Sequence, residues 1–310
     1  MMGNQNLSYA EACCPEACKL TFMPELPEVE TIARGLDSRV AGDVIESVWL
    51  GPKPEPLKSP AREIVIALES KRIAGVRRLG KHIVFDLQAG GRTSSAKKSR
   101  RRARARTPAP TSTRVQWIVH LGMTGRMLVC APEEAMAKHT HAIARLASGR
   151  ELRFVDPRRF GRLSVSSGFE APGSEPLEVE LERFVSLFRG RKTPIKSALL
   201  NQKLLSGVGN IYADESLFRA RVRPRRRAAA LTREELGRLY TAVQEVLKEA
   251  IALGGSSISD YVDSDGEEGF FQLQHRVYGR EGESCLVCQT PVKRVVIGGR
   301  SAHYCPKCQK

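Results

Sequence analysis

Two cysteine pairs near the C-terminus, CLVC at 285–288 and CPKC at 305–308, restrict how the end of this 310-residue chain can fold. Sixteen residues separate the pairs, and that spacing is the one used by a four-thiolate tetrahedral zinc site. Four protein ligands leave the metal no open position, so one Zn2+ held by Cys285, Cys288, Cys305 and Cys308 is structural and not catalytic. Between the pairs, 292–297 and 300–304 flank Gly298 and Gly299, which predicts a two-residue hairpin turn. The expected product is a zinc-fixed β-ribbon that presents Lys293, Arg294 and Arg300 to something anionic.

Net charge narrows the partner. Lys and Arg number 50 against 34 Asp and Glu, a formal +16, which points to nucleic acid. No run of about 18 apolar residues is present, so no membrane span is expected. Residues 92–114 hold nine of the basic residues and no acidic one, with Ser, Pro and Ala between them. Such a stretch has no means of burying a core, so it is predicted to be a disordered insertion between strands, either a solvated loop or a phosphate-binding arm. Cys13, Cys14 and Cys18 fall in a start that lacks the basic and apolar segments of a secretory signal. A reducing cytoplasm is therefore expected, where paired Cys-x-x-Cys favours metal over disulfide.

Periodicity divides the chain. Val29, Ile32, Ala33, Leu36 and Val40 lie on one helical face, with Pro27 suited to the first turn. Strand-like runs follow at 44–50, 64–68, 83–87, 115–121 and 126–130, and 142–146 with 151–155 reads as a hairpin. This half is predicted to be an antiparallel β-sandwich with a leading helix, within an α+β fold class. A Gly- and Pro-containing break at 168–176 precedes a helical half, in which Thr232 and Glu235 form a capping box and Gly254-Gly255 ends the helix. Gly207 and Gly209 before 210–218 read either as a tight turn or as a phosphate-cradling helix start, with Asn210 as an added donor.

MPELPEVET at 23–31, LGKHIVFDL at 79–87, HLGMTGRM at 120–127, DPRRFG at 156–161, SGVGNIYADESLF at 206–218 and the closing cysteine ribbon occur in one order. Together they resemble the bacterial formamidopyrimidine-DNA glycosylases over nearly everything from Met23 to Lys310, except the basic insertion. The resemblance implies an extension at 1–22, a catalytic sandwich at 23–168, a linker at 169–176, a helical DNA-binding domain with a helix-two-turns-helix module at 177–274, and a zinc ribbon at 275–310. It implies a monomer that acts on damaged double-stranded DNA in the bacterial cytoplasm, associated with the nucleoid, as a bifunctional glycosylase and abasic-site lyase for oxidised purines, with β,δ-elimination.

In that family the proline after the initiator methionine is the nucleophile. An internal proline nitrogen is a tertiary amide with a delocalised lone pair, so Pro24 can attack only if translation begins at Met23 or residues 1–22 are removed. By resemblance Pro24 is the Schiff-base nucleophile, Glu25 the acid for ring opening, Glu28 a supporting carboxylate, Lys81 the donor in β-elimination and Arg300 the donor in δ-elimination. Met123, Arg158 and Phe160 match the residues that fill the space left by an extruded base. His139, Arg158, Arg191, Lys196 and Asn210 match contacts to the DNA backbone, with arginine at 191 where lysine is common. Residues 255–271 match the loop over the extruded base. Two other readings stand beside this one: an endonuclease VIII-type enzyme for oxidised pyrimidines, and a non-catalytic zinc DNA-binding protein if residues 1–22 stay attached.

Overall fold

The computed structural model describes residues 23–89, 115–256 and 269–310. The extension, the basic insertion and most of the base-covering loop lie outside these residues.

Helix α1, Leu26–Val40, starts with Pro27 in its first turn, and the Glu28 carboxylate accepts the main-chain N–H of Glu25 at 2.8 Å, which satisfies one of the free donors of a helix start. Its apolar stripe packs into the first core, yet Leu26, at its head, belongs to the core of the helical half. One helix therefore joins both cores at the point where Pro24 and Glu25 sit.

The first core lies between two four-stranded antiparallel sheets. One has the order β1 (Ile45–Leu50), β6 (Thr140–Leu146), β7 (Glu151–Val155), β5 (Arg126–Cys130). The other runs β2 (Lys71–Leu79), β3 (His82–Ala89), β4 (Val115–His120), β8 (Arg162–Ser166). Phe85 and Trp117 stack between them at 4.9 Å. The sandwich and the 142–155 hairpin are as expected, with Leu146 and Glu151 at its ends.

Residues 64–68 differ from their expected strand. They close α2, Ala61–Leu68, which begins after Pro60. Ile64 and Leu68, four apart, are buried on one face while Ile66 is 63 % exposed, so the β-branched run follows a helical period under tertiary packing. Strand β2 escaped the sequence reading because its KRIAGVRRL has basic residues on the open face and a bulge at Gly75. The carboxylate of Asp37, from α1, caps that irregularity by accepting the amide of Val76 at 2.7 Å.

The second half packs α3 (Leu181–Phe188), α4 (Ile195–Leu199), α5 (Asn210–Arg219) and α6 (Arg233–Ala252) around a separate core. Thr232 caps α6 by accepting the Glu235 amide, as its sequence predicts. The closing ribbon pairs β9 (Lys293–Ile297) with β10 (Arg300–Tyr304). Gly298 and Gly299 have φ of 56° and 76°, the left-handed turn that only a glycine pair adopts at little cost. Between the halves, Arg78 of β2 reaches Glu30 of α1 at 2.7 Å and Glu175 at 2.8 Å, an almost enclosed latch across the 168–176 break.

Candidate active site and nucleic-acid interface

The head of α1 brings Pro24, Glu25 and Glu28 into the seam between the halves, all three buried. The Glu25 carboxylate turns to the start of α5 and accepts the Ile211 N–H at 3.2 Å. Of the two readings of 206–210, this contact fits the tight turn: the Ile211 amide at the helix start is met by a side chain of the protein. The glycines serve close approach. A Cβ on Gly209 would stand 2.0 Å from the Glu25 carboxyl carbon, and one on Gly207 2.8 Å from Leu26.

Lys81 enters from the turn between β2 and β3. Gly80 sits there at φ 59°, and a Cβ on it would lie 2.1 Å from the Ser206 hydroxyl, so the turn is seated on the loop before α5. Burial pushes Glu25 up to about 7, with the nearby positive charge of Lys81 opposing the shift and Glu28 adding to it. Burial also raises Glu28, against the Tyr212 hydroxyl and the Ser256 amide that hydrogen-bond its carboxylate. The Lys81 ammonium is shifted down by the same loss of water, resisted by Glu25 and Glu28 and helped by Arg300. Glu25 Oε2 is buried without a partner among the described residues. A buried acceptor left open inside a charged cluster is a place for a reacting atom. Tyr212 and Ser256 were missed in the sequence, where neither carries a periodic or spacing signal.

A single carboxylate joins the loops that carry Met123, Arg158 and Phe160. Asp156, fully buried, accepts the Thr124 hydroxyl at 2.6 Å, the Arg158 amide at 3.2 Å and the Gly161 amide at 2.7 Å. It thereby ties the turn bearing Met123 to the loop bearing Arg158 and Phe160. The Arg158 guanidinium lies 4.9 Å from the centre of the Phe160 ring, and Phe160 is 52 % exposed, a costly display of apolar surface unless something stacks on it. The carbonyl of exposed His139 accepts the Asp156 amide at 2.9 Å, which places that side chain beside the same loop. Arg191 is exposed after α3, its Nε hydrogen-bonded to the Leu187 carbonyl. Asn210 donates to the Ser301 hydroxyl at 3.2 Å and keeps a buried carbonyl oxygen unpartnered.

Lys196 differs from its expected role. Its side chain is fully buried and its ammonium donates to Asp214 at 2.6 Å and to the Ser301 carbonyl. Both acceptors belong to the protein, so Lys196 does not stand at the surface as a phosphate ligand. Arg300, at the ribbon tip, is exposed, and its charge acts on both Lys81 and Lys196.

The four C-terminal thiols converge. Cys285 and Cys308 sulfurs are 3.9 Å apart, those of Cys288 and Cys305 3.4 Å, and all four lie within 4.8 Å. Sulfurs about 2.3 Å from a central zinc in a tetrahedron stand roughly 3.8 Å from one another, so the cluster fits one structural Zn2+. Gln309 ties it to the helical half, accepting the Cys305 amide at 2.8 Å and donating to the Val222 carbonyl at 2.8 Å. Among the described residues no helix is long and apolar enough to cross a membrane.

Three family models match successive parts of the chain: the formamidopyrimidine-DNA glycosylase N-terminal domain at residues 23–163, the formamidopyrimidine-DNA glycosylase H2TH domain at 172–262, and the zinc finger found in FPG and IleRS at 282–310. A formamidopyrimidine-DNA glycosylase of Solibacter usitatus is 42 % identical over 296 residues, spanning 93 % of this chain and all of its own. One from Thermus thermophilus is 44 % identical over 301 residues, covering 93 % of this chain and 98 % of its own. Among solved structures, the MutM (FPG) protein of Thermus thermophilus superposes with a TM-score of 0.76 at 40 % identity, over 92 % of this chain and 98 % of that one. The Lactococcus lactis Fpg in complex with DNA containing an abasic site gives 0.78 at 30 % identity, over 92 % and 99 %.

Proposed function

We propose, from the premise that this chain belongs to the formamidopyrimidine-DNA glycosylase family, which of its residues carry that family's reaction. The protein is a DNA glycosylase of base excision repair with abasic-site lyase activity, its substrate is damaged duplex DNA, and its ribbon holds one structural zinc. The observation that carries the assignment is the Glu25 carboxyl: one residue after Pro24, buried, facing Lys81, titrating at about 7 and with one oxygen unpartnered.

With the chain starting after Met23, Pro24 has a secondary amine whose lone pair attacks C1′ of the damaged nucleotide. The bond to the base breaks, its electron pair leaves with the base, and the proton that the proline nitrogen sheds neutralises the departing base. Glu25 gives its proton to the ring oxygen as the sugar opens to an iminium on Pro24, a transfer suited to a carboxyl still about half protonated near neutrality. In β-elimination the C2′ proton is lost, the C3′–oxygen bond breaks, and the electron pair leaves on the phosphate, which Lys81 meets with its ammonium. In δ-elimination the C4′ proton is lost and the C5′–oxygen bond breaks, with Arg300 at the second departing phosphate.

An extruded base leaves a gap in the stack that must be filled. Met123 and Phe160 insert apolar surface there, and Arg158 pairs with the orphaned base. His139, Arg158, Arg191 and Asn210 hold the backbone. Oxidised purines are the lesion class. Solved relatives bind DNA containing Fapy-dG and carbocyclic 8-oxo-G, which supports this choice. The working protein starts at Met23, a reading supported by the family match beginning at that residue. It acts in the cytoplasm, held on the nucleoid by its DNA contacts.

Borohydride trapping on a duplex containing 8-oxoguanine tests the nucleophile. Protein made from Met23 is expected to be captured on DNA through Pro24, located by peptide mass mapping, while protein with residues 1–22 retained gives no adduct. Equal capture of both, with the long form intact by mass, transfers the chemistry to another amine and overturns the assignment.

A further inference from the structure

We infer that Asp214 and Lys196 are positioning residues for δ-elimination, gripping the open edge of β10 so that Arg300 is delivered over the site. The inference rests on the role of Arg300 given above.

The ribbon has only two strands, and β9 covers one edge of β10. Along the other edge, every second residue turns its main-chain groups away from β9 and toward α5. Those groups need partners, because a buried peptide N–H or C=O left open costs about 1–3 kcal/mol. The helical half supplies them as side chains. Asp214 Oδ2 accepts the His303 amide at 2.8 Å, with His303 Nδ1 also 3.3 Å away. Lys196 Nζ donates to the Ser301 carbonyl, and the same ammonium meets Asp214 Oδ1 at 2.6 Å. One buried ion pair thus provides both the donor and the acceptor that a third strand would offer at residues 301 and 303. Asn210, at the start of α5, adds the bond to the Ser301 hydroxyl.

Arg300 is the residue before Ser301, so its Cα lies one peptide, about 3.8 Å, from a clamped position. Its own guanidinium forms no ion pair or hydrogen bond among the described residues. The point from which its side chain reaches out is therefore set by the backbone of β10, and the open edge of that backbone is held by Asp214 and Lys196. The four cysteines stand at the opposite end of the ribbon, so a zinc they hold can fold the module without fixing the angle of the tip. Gly298 approaches α4 so closely that a Cβ on it would be 3.0 Å from the Ser197 hydroxyl, which leaves the tip little room to shift without losing register.

The test follows δ- and β-elimination products on a duplex with a preformed abasic site, using zinc-loaded protein starting at Met23. Asp214→Asn is expected to lower the ratio of δ to β product by at least about tenfold, as misplacement of a positioned group does. Base excision should stay within a few-fold of wild type and zinc at one equivalent. Lys196→Met should act in the same direction. Arg300→Ala is the reference: if it leaves δ-elimination intact, the role of Arg300 itself is wrong. If Arg300→Ala abolishes δ-elimination and Asp214→Asn leaves the ratio unchanged, the positioning role is wrong. A parallel fall of excision, β- and δ-elimination also overturns it, since that is loss of fold. Amide exchange on the unaltered protein gives a check independent of variants. The His303 N–H should exchange as slowly as core amides, and rapid exchange contradicts the clamp.

Discussion

Two buried lysines, Lys81 and Lys196, stand beside buried carboxylates in this molecule, and burial lowers the pKa of both. They differ in how completely their surroundings are bonded. Lys196 donates to a carboxylate and a carbonyl, and its partner Asp214 is met on both oxygens. Lys81 has no hydrogen bond among the described residues, and the neighbouring Glu25 keeps one oxygen open. A desolvated charge therefore does not mark a reacting group by itself. A desolvated charge together with a bond left unmade is the stronger sign, because a saturated pair has nothing left to offer a substrate.

Removing the metal should have the largest effect. Structural zinc in isolated fingers contributes about 10–16 kcal/mol, so a strong chelator should unfold the ribbon and remove the element that Asp214 and Lys196 grip. The sandwich and the head of α1 should remain, visible as preserved strand circular dichroism with lost DNA binding. Unaltered binding by metal-free protein would mean the ribbon is dispensable.

Glu25→Gln probes the unsaturated cluster. Loss of a positioned acid typically costs about 10²–10⁴ in rate, so single-turnover excision should fall by that much while cleavage of a preformed abasic site survives better, its sugar already being free to open. Equal losses on both substrates would assign Glu25 a purely structural role.

The saturated pair answers to stability instead. Asp214→Leu alone should cost about 3–5 kcal/mol in denaturant unfolding, because it strands a buried ammonium, and the double change Lys196→Met with Asp214→Leu should recover most of that loss. No recovery in the double variant would show that the lysine is not the group left uncompensated.

The smallest effect is expected at the stacking edge. Phe160→Ala should weaken binding to abasic-site duplex by about 1–3 kcal/mol with little change in melting temperature, since the ring is half exposed in the free protein. A large drop in melting temperature would make Phe160 a packing residue.

The same contrast explains what the sequence could reveal. The ribbon, its glycine turn and the Thr232 cap were legible because each depends on residues within a few positions of one another. The stripe of α1 was legible because burial on one face imposes the helical period. Residues 64–68 were not, since an apolar run of five fits a strand or one and a half helical turns until its neighbours decide. Lys196 was misplaced for a related reason: what buries it are Asp214, 18 positions on, and Ser301, 105 positions on. Gly207 and Gly209 left a tight turn and a phosphate cradle both open, because the carboxylate they admit comes from Glu25, which is 186 positions from the amide it meets. Asp156 stood inside a recognisable motif, but its task of joining two loops depends on Thr124, 32 residues away.

The pH dependence of single-turnover base excision, compared between wild type and Glu25→Gln, shows whether Glu25 is the acid that protonates the sugar. In the proposed reaction Glu25 acts in its protonated form, and burial raises it to about 7, so its active fraction shrinks as pH rises through that value. The Pro24 amine acts unprotonated, and an α-amino group titrates at about 7.7–8.0, so the rate, which follows the product of the two fractions, should form a bell that peaks between about pH 7 and 8 and falls above it. Glu25→Gln should remove the falling limb and leave the slower rate climbing to a plateau. A falling limb that persists unchanged in Glu25→Gln would contradict the account, because the proton delivered to the sugar would then come from another group.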